Sequence, residues 1–191
     1  MGYLLQAGVT LVQFVIGVYL LLVLLRFLFQ LVRADFYNPV SQAIVKVTNP
    51  PLRFLRQFIP GFGGVDWPSV VLLFFIQALE ISLVTLLLSG RLPAPEALLV
   101  LCLAHLLKLV AYVYIFLIMI TVIISWVNPG AYNPLTVLIY QITDPLMRRV
   151  RRRIPPAAGL DWSPMLVLLG IYLFLSLVVA PLMDFGSGLN R

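Results

Sequence analysis

Long apolar runs alternate with polar loops along this chain, and within the runs apolar and polar residues do not alternate in steps of two. A helix needs about 20 apolar residues to cross the roughly 30 Å hydrocarbon core of a bilayer. Four runs reach this length, and their composition argues against membrane strands, which alternate. The predicted spans are about residues 9–32, 68–88, 105–127 and 165–183. The pattern therefore predicts an all-α membrane protein with four transmembrane helices.

The two long loops between these spans are copies of one another. When the chain is shifted by 95 positions, 13 of the 31 residues from 37 to 67 are identical to their counterparts. This self-similarity indicates a duplicated unit of span, loop and span. The first repeat is residues 1–95 with its loop at 33–67, and the second is residues 96–191 with its loop at 128–164. Because each unit crosses the membrane twice, the repeats are expected to share one orientation.

Several positions recur in both loops and predict local structure. Each loop opens with Asn-Pro, a capping residue and a first-turn proline, followed by apolar residues at helical spacing. A later proline predicts a break between two short amphipathic helices, with Asn49 or Asp144 capping the second. Each loop ends with an Asp expected to cap the next span and a Trp expected at headgroup depth. The recurring positions are Asn38, Pro39, Pro50, Gly64, Asp66 and Trp67, and Asn133, Pro134, Pro145, Gly159, Asp161 and Trp162.

Composition supports the membrane interpretation, since 62% of the residues are hydrophobic and only 10% are charged. A soluble domain carries about 25% charged residues and cannot hide so much apolar surface. With one cysteine and one histidine, the chain offers no zinc or haem pattern, so neither a metal nor a cofactor is expected. No enzyme is expected either, because no Ser/Lys, paired-Asp or His/Glu arrangement has convincing catalytic spacing.

The net charge of +6 is concentrated in the two loops. The positive-inside rule places both loops in the cytoplasm and both termini outside a bacterial inner membrane. Basic helices beside a membrane lie in the interface, so anionic lipid is an expected partner, as is a membrane or cytoplasmic protein. Nucleic acid is not expected, because aromatic residues do not alternate with the basic ones. The candidate contact residues are Arg53, Arg56, Arg148, Arg149, Arg151, Arg152 and Arg153.

These arginines fall into two groups. Arg53 and Arg56 recur as Arg148 and Arg151, whereas the other three belong to the second copy alone. The recurring arginines are the expected shared contact. The surplus arginines are expected to fix topology and to contact lipid.

Three charged residues fall within the predicted spans, namely Arg26, Glu80 and Lys108. An intramembrane carboxylate is costly and is by default a functional hypothesis that requires a partner. Glu80 shares a helical face with Gln77, and Arg26, Lys108 or His105 could approach it. The interpretations are an ion or proton site, a bracing pair, or a protonated acid.

The segment "DFYNPVSQAIVKVTNPPLRFLRQFIP" and its copy "YNPLTVLIYQITDPLMRRVRRRIP", each followed by Asp-Trp, resemble the YggT family of small membrane proteins. The resemblance covers essentially the whole chain, including the two repeats. It implies a non-enzymatic membrane protein. Family members are linked to osmotic or envelope stress, and relatives to division-gene neighbourhoods, plastid nucleoids or maturation of a membrane cytochrome.

The leading hypothesis is a scaffold or assembly factor whose loops form a basic platform on the inner leaflet. The alternative is a small ion channel or transporter, acting as a homodimer, with Glu80 in its path. An intramembrane enzyme ranks third.

Overall fold

A computed structural model of the chain describes residues 2–128, 130, 132–154 and 161–190. This part of the chain is helical apart from turns and one isolated bridge between Phe62 and Val65. Its helices are α1 (Tyr3–Leu31), α2 (Pro39–Leu55), α3 (Trp67–Ser89), α4 (Pro95–Val127), α5 (Pro134–Arg151) and α6 (Ser163–Gly188). Four of them, α1, α3, α4 and α6, are long and apolar enough to cross a membrane. The predicted all-α fold with four spans is confirmed.

Both loop helices lie at the same end of the four spans. α2 connects α1 to α3, and α5 connects α4 to α6, and the starts of α2 and α5 meet. The Asn38 side chain donates to the Pro134 carbonyl at 2.6 Å, and the Asp35 N–H donates to Gln141 Oε1 at 3.3 Å. The two repeats therefore share one orientation, with the α3–α4 connection at the opposite end. We call α2 and α5 together the loop layer.

One hydrophobic core joins the two repeats. α3 packs against both α1 and α4, and α4 packs against α6. The main cluster includes Leu24 of α1, Ile44 of α2, Ile76 of α3, Leu117 of α4 and Ile142 of α5. A smaller cluster joins α4, α5 and α6. The loop layer is therefore part of the folded core.

Each loop contains one continuous helix, so the predicted break at Pro50 and Pro145 is wrong. Both prolines lie on the exposed side of their helix. Thr48 and Leu52, on either side of Pro50, are buried on the face that packs against the spans. The proline removes one backbone hydrogen bond, but a break would detach this buried face, so the helix continues.

α6 approaches α4 unevenly along its length. Its C-terminal part packs more extensively on α4 than its N-terminal part does. A Cβ at Gly186 would lie 2.9 Å from the Leu101 side chain, so only glycine allows this close approach. Between the two parts, Leu175–Val179 forms a widened π-helical turn, shortly before Pro181, which cannot donate a backbone hydrogen bond. The helices consequently pack most closely far from the loop layer.

Candidate functional site

An arginine–aspartate pair braces each loop helix against the following span. Arg56 donates to the Asp66 carboxylate at 2.8 Å, and Arg151 donates to the Asp161 carboxylate at 2.7 Å. The two pairs are counterparts, since each member is shifted by 95 residues. Asp66 is buried and also accepts from the Ser69 hydroxyl at 2.6 Å, whereas Asp161 is more exposed. The recurring Arg56 and Arg151 are therefore structural braces.

The Asp161 carboxylate connects α5 to the first turn of α6. One oxygen accepts from Arg151, and the other accepts from the Ser163 N–H at 2.9 Å. Partial burial by itself raises the pKa of Asp161, but hydrogen bonds from Ser163 and Arg151 outweigh it, so the pKa lies below its ordinary value. Asp161 thus accepts the first backbone N–H of α6 from one residue before the N-cap position, which Trp162 occupies instead of the predicted aspartate. Asp66 does not cap α3, because its carboxylate is taken by side chains.

Arg26 ties α1 to the loop layer. Its buried guanidinium donates to Thr48 Oγ1 at 3.0 Å, to the Val45 carbonyl at 3.2 Å and to Asn49 Oδ1 at 3.4 Å. Asn49 is therefore an acceptor for Arg26, and its predicted role as the cap of a second helix is wrong. A charge inside an apolar span is tolerated here because polar groups of α2 surround it.

The second repeat has a neutral version of this tie. The counterparts of Arg26 and Thr48 are Thr121 and Thr143, whose hydroxyl oxygens lie 3.5 Å apart. All three threonine side chains are buried. In each repeat, the same position of the span before the loop therefore contacts the loop helix. This position is charged in the first repeat (Arg26) and neutral in the second (Thr121).

The predicted role of Asp144 as a helix cap is also wrong, because α5 continues through this residue. Asp144 accepts from Arg148 one turn later in α5, and its other oxygen lies 3.6 Å from Arg151. Such pairs one turn apart stabilise a helix modestly. Arg148 and Arg151 are both engaged in this way, so neither has a free guanidinium.

Four arginines of α2, α5 and the turn after α5 have no carboxylate partner among the residues that the structure describes. They are Arg53, Arg149, Arg152 and Arg153. All four are exposed. Three of them belong to the second copy alone, so all of the surplus charge of the sequence, together with Arg53, remains available for contact.

The Asn-Pro motif starts both loop helices as predicted. The Asn38 and Asn133 side chains each accept a first-turn backbone N–H at 2.9 Å. Pro39 and Pro134 occupy the first turn, where the missing N–H costs little. The recurring asparagines are therefore local structural residues, and Asn38 also makes the contact between the repeats.

The Gly-x-Asp-Trp motif forms the turn that leads into α3. Gly64 has a φ of +75°, a left-handed conformation that favours glycine. The Trp67 ring stacks on Phe62 with centroids 5.1 Å apart. Trp162 is exposed at the start of α6, while its neighbour Gly159 lies outside the described residues.

The three intramembrane charges do not form a cluster. Glu80 accepts from Gln77 Nε2 at 2.9 Å, and it makes no ion pair within the described ranges. Lys108 lies over the Tyr112 ring, 5.7 Å from its centroid. Since Arg26 is bound to α2, Glu80 is paired with an amide and with none of the basic residues considered from the sequence.

The site offers cationic groups and few other reactive ones. No group of His, Cys, Asp and Glu in the part of the chain that the structure covers could hold a metal ion. Cys102 is free and buried. Exposed guanidinium groups bind phosphates and carboxylates through directional, charge-assisted hydrogen bonds. This arrangement is therefore suited to binding an anionic surface or group.

Sequence reasoning missed the two braces, although a signal was present. An arginine and an aspartate recur ten residues apart, at the same places, in both loops. A charge pair kept in two otherwise diverged copies indicates a contact. The tie from Arg26 to α2 had no comparable signal, because its counterpart in the second copy is a threonine.

Comparison with known proteins agrees with this architecture. The family model described as CCB3/YggT matches the chain twice, at residues 5–87 and 100–182. Uncharacterized protein PA0392 of Pseudomonas aeruginosa is 44% identical over 174 residues, covering 91% of this chain and 88% of its own. Uncharacterized protein YggT of Escherichia coli is 35% identical over 161 residues, covering 83% and 81% respectively. A Vibrio alginolyticus protein from the proC 3' region is 34% identical over 162 residues, covering 84% and 87%. No solved structure matches the chain. The two matched repeats and these relatives show that the chain belongs to the CCB3/YggT family.

Proposed function

We propose that this protein is a non-enzymatic scaffold of the bacterial inner membrane, whose loop layer presents a preformed basic surface to anionic lipid and partner proteins. The observation that carries the proposal is that some arginines of the loop layer are held in ion pairs while others are exposed and unpaired among the described residues. Arg56, Arg148 and Arg151 are held in ion pairs that brace the fold. The surplus arginines at 149, 152 and 153 are exposed and have no carboxylate partner among the described residues.

The bracing supports a scaffold role because a surface that is already ordered loses less entropy on binding. The loop layer is tied to the spans through Arg26, Arg56 and Arg151. Its two helices are tied to each other through Asn38. A mobile pair of loops would need none of these contacts. We infer that the layer keeps its shape when a partner arrives.

We also infer that the loop layer lies at the cytoplasmic headgroup level as two amphipathic helices. Ile44 and Leu52 of α2 face the core, while Phe54 and Phe58 are exposed at its end. Exposed aromatic rings beside a basic helix are suited to the boundary between headgroups and acyl chains. The excess of arginine in this layer favours the cytoplasmic side.

The orientation can be tested by cysteine labelling, since Cys102 is the only cysteine of the chain. In a Cys102→Ala background, Leu92→Cys places a thiol in the α3–α4 connection and Gln42→Cys places one on α2; both positions are exposed. A membrane-impermeant maleimide added to spheroplasts should label position 92 and not position 42 until the cells are lysed. The reverse pattern would refute the orientation.

The scaffold proposal is tested by crosslinking in intact membranes. A photo-crosslinking amino acid at position 42 reports on what contacts the loop layer. Replacing Arg149, Arg152 and Arg153 with Gln should remove specific protein crosslinks while the spans still insert. Arg91→Gln, which removes an exposed arginine outside the layer, is the matched control and should leave them in place. Identical crosslinks in all three proteins would overturn the proposal.

The family resemblance suggests osmotic or envelope stress as the physiological setting of this scaffold. A strain that lacks the gene and carries the wild-type protein should recover growth after an osmotic upshift. The triple-Gln variant should fail to restore it at equal protein level. Equal recovery with both proteins would separate the stress role from the basic surface.

A further inference from the structure

The region where α6 diverges from α4 contains an apolar cleft. Its volume is about 550 Å³, and its walls come from α4, α6 and the end of α5. Apolar wall residues include Leu107, Val167, Ile171 and Phe174. Gly170 also lines the cleft, and a Cβ placed there would meet no atom within 4 Å. The cleft therefore has room for a side chain at this position of α6.

The loop-layer end of the cleft leads into a basic mouth. A second cavity of about 570 Å³ shares Arg149, Val150 and Leu166 with the cleft and adds Arg152 and Arg153. The two cavities are therefore adjacent. An apolar trough that ends at three guanidinium groups has the polarity of a phospholipid, with its chain at one end and its phosphate at the other.

Carboxylates of the described residues do not compensate the charge of the mouth. The nearby carboxylates of Asp144 and Asp161 are bound to Arg148 and Arg151. None of the three mouth arginines is within ion-pair distance of a carboxylate in the described chain. Three unpaired arginines in one mouth favour an anionic occupant, because each can donate charge-assisted hydrogen bonds to phosphate oxygens.

The first repeat carries different residues at the positions that form the mouth and at the position of Gly170. The counterparts of the three mouth arginines and of Gly170 are Phe54, Gln57, Phe58 and Phe75. Phe54 and Phe58 pack edge to face with ring centroids 5.3 Å apart. Both copies therefore keep the loop helix. Its C-terminal end is aromatic in the first copy and cationic in the second, next to the cleft.

We propose that the cleft between α4 and α6 is a binding site for one anionic phospholipid, with an acyl chain along the trough and the phosphate at Arg149, Arg152 and Arg153. Any bilayer lipid can place a chain against an apolar wall, so the mouth provides the selectivity. The proposal deepens the scaffold function by naming the lipid class that its basic surface selects.

The site can be tested by native mass spectrometry of the full chain with phosphatidylglycerol and phosphatidylcholine of identical chains. Wild-type protein should bind the anionic lipid at least tenfold more tightly, since each arginine near an anionic headgroup contributes roughly fivefold. The triple-Gln variant of the mouth should lose this preference. Arg53→Gln removes an exposed arginine outside the mouth and should keep it. A preference that persists in the triple variant would overturn the proposal.

A separate variant tests whether the apolar trough contributes to lipid binding. Gly170→Leu should fill the trough and lower binding of phosphatidylglycerol at least tenfold with the mouth intact. Phe75→Leu, at the counterpart position in the first repeat, should have no effect. If glycerol phosphate without chains competes as well as the whole lipid, the trough contributes nothing and the lipid site is refuted.

Two further readouts keep these outcomes interpretable. A lipid with a photoreactive acyl chain should crosslink wild-type protein to peptides of α4 and α6, and labelling elsewhere alone would count against the site. If Gly170→Leu loses the lipid and keeps the protein crosslinks of the loop layer, the lipid site and partner docking are separate. Loss of those crosslinks in the triple variant with unchanged lipid selectivity would refute the lipid site and leave the scaffold standing.

Discussion

The brace between Arg56 and Asp66 should stabilise the protein more than its counterpart between Arg151 and Asp161. The perturbation is a double-mutant cycle on each pair, with arginine replaced by Gln and aspartate by Asn. Asn has nearly the same size as Asp, Gln is shorter than Arg, and both replacements remove the charge while keeping a polar side chain. Because the two pairs occupy equivalent places in one chain, the second cycle is an internal control for the first.

The expected magnitudes follow from burial. The Asp66 side chain is 6% exposed and accepts two side-chain hydrogen bonds, while its Arg56 partner is 43% exposed. Arg151 and Asp161 are 40% and 30% exposed. Hydrogen bonds to charged groups contribute about 1.5–3 kcal/mol, and exposed ion pairs about 0.2–1 kcal/mol. We expect coupling energies of about 2 kcal/mol for the first pair and about 0.5 kcal/mol for the second.

Hydrogen–deuterium exchange in nanodiscs measures this coupling directly. The pairs join the end of a loop helix to the following span, so breaking them should speed local opening of the last turns of α2 or α5. A loss of about 2 kcal/mol corresponds to roughly 30-fold faster exchange. The double variant should exchange no faster than the more severe single variant of its pair. Effects of the two single variants that simply add, in the first cycle, would refute the brace.

Three further predictions concern other contacts of the described chain. Arg26→Thr, which copies Thr121 of the second repeat, should speed exchange in α2 with a loss of about 2 kcal/mol, and unchanged exchange would show that the tie contributes nothing. Because the pKa of Asp161 is lower in the folded chain than in the unfolded one, its stabilisation is complete above about pH 4 and is lost as pH falls through the lowered pKa. The melting temperature of Asp161→Asn should therefore be lower than that of the wild type at neutral pH and should approach it in acid. A difference that stays constant with pH would contradict this. Glu80→Gln should leave the melting temperature nearly unchanged, because an amide can still accept from Gln77, and a large fall would show that the charge itself is stabilising.

Much of the fold follows from short-range patterns. The apolar runs predict the four spans, and Asn38-Pro39 predicts the start of α2, because capping and hydrophobic periodicity act within one or two turns. The break at Pro50 is also predicted from a local effect, the missing N–H of proline. The prediction is wrong because tertiary packing keeps the helix continuous. The buried face formed by Thr48 and Leu52 holds the helix together across the proline.

The candidate site was less predictable. Arg148 and Arg149 are neighbours with the same side chain, yet one is paired with Asp144 and the other lines the mouth of the cleft. The difference depends on which way each side chain leaves α5 and on where α6 begins. The cleft depends likewise on the angle between α4 and α6, which no local pattern specifies.

By itself, the sequence determined the four spans, the duplication and the concentration of positive charge in two loops. These are sums over many residues, and the hydrophobic effect and charge bias depend on such sums. Only the tertiary structure decided that Arg56 and Arg151 are braces, and that Arg149, Arg152 and Arg153 have no carboxylate partner in the part of the chain that the structure describes. Ion pairs and hydrogen bonds act over a few ångströms, so the role of each arginine depends on the residues that folding brings next to it.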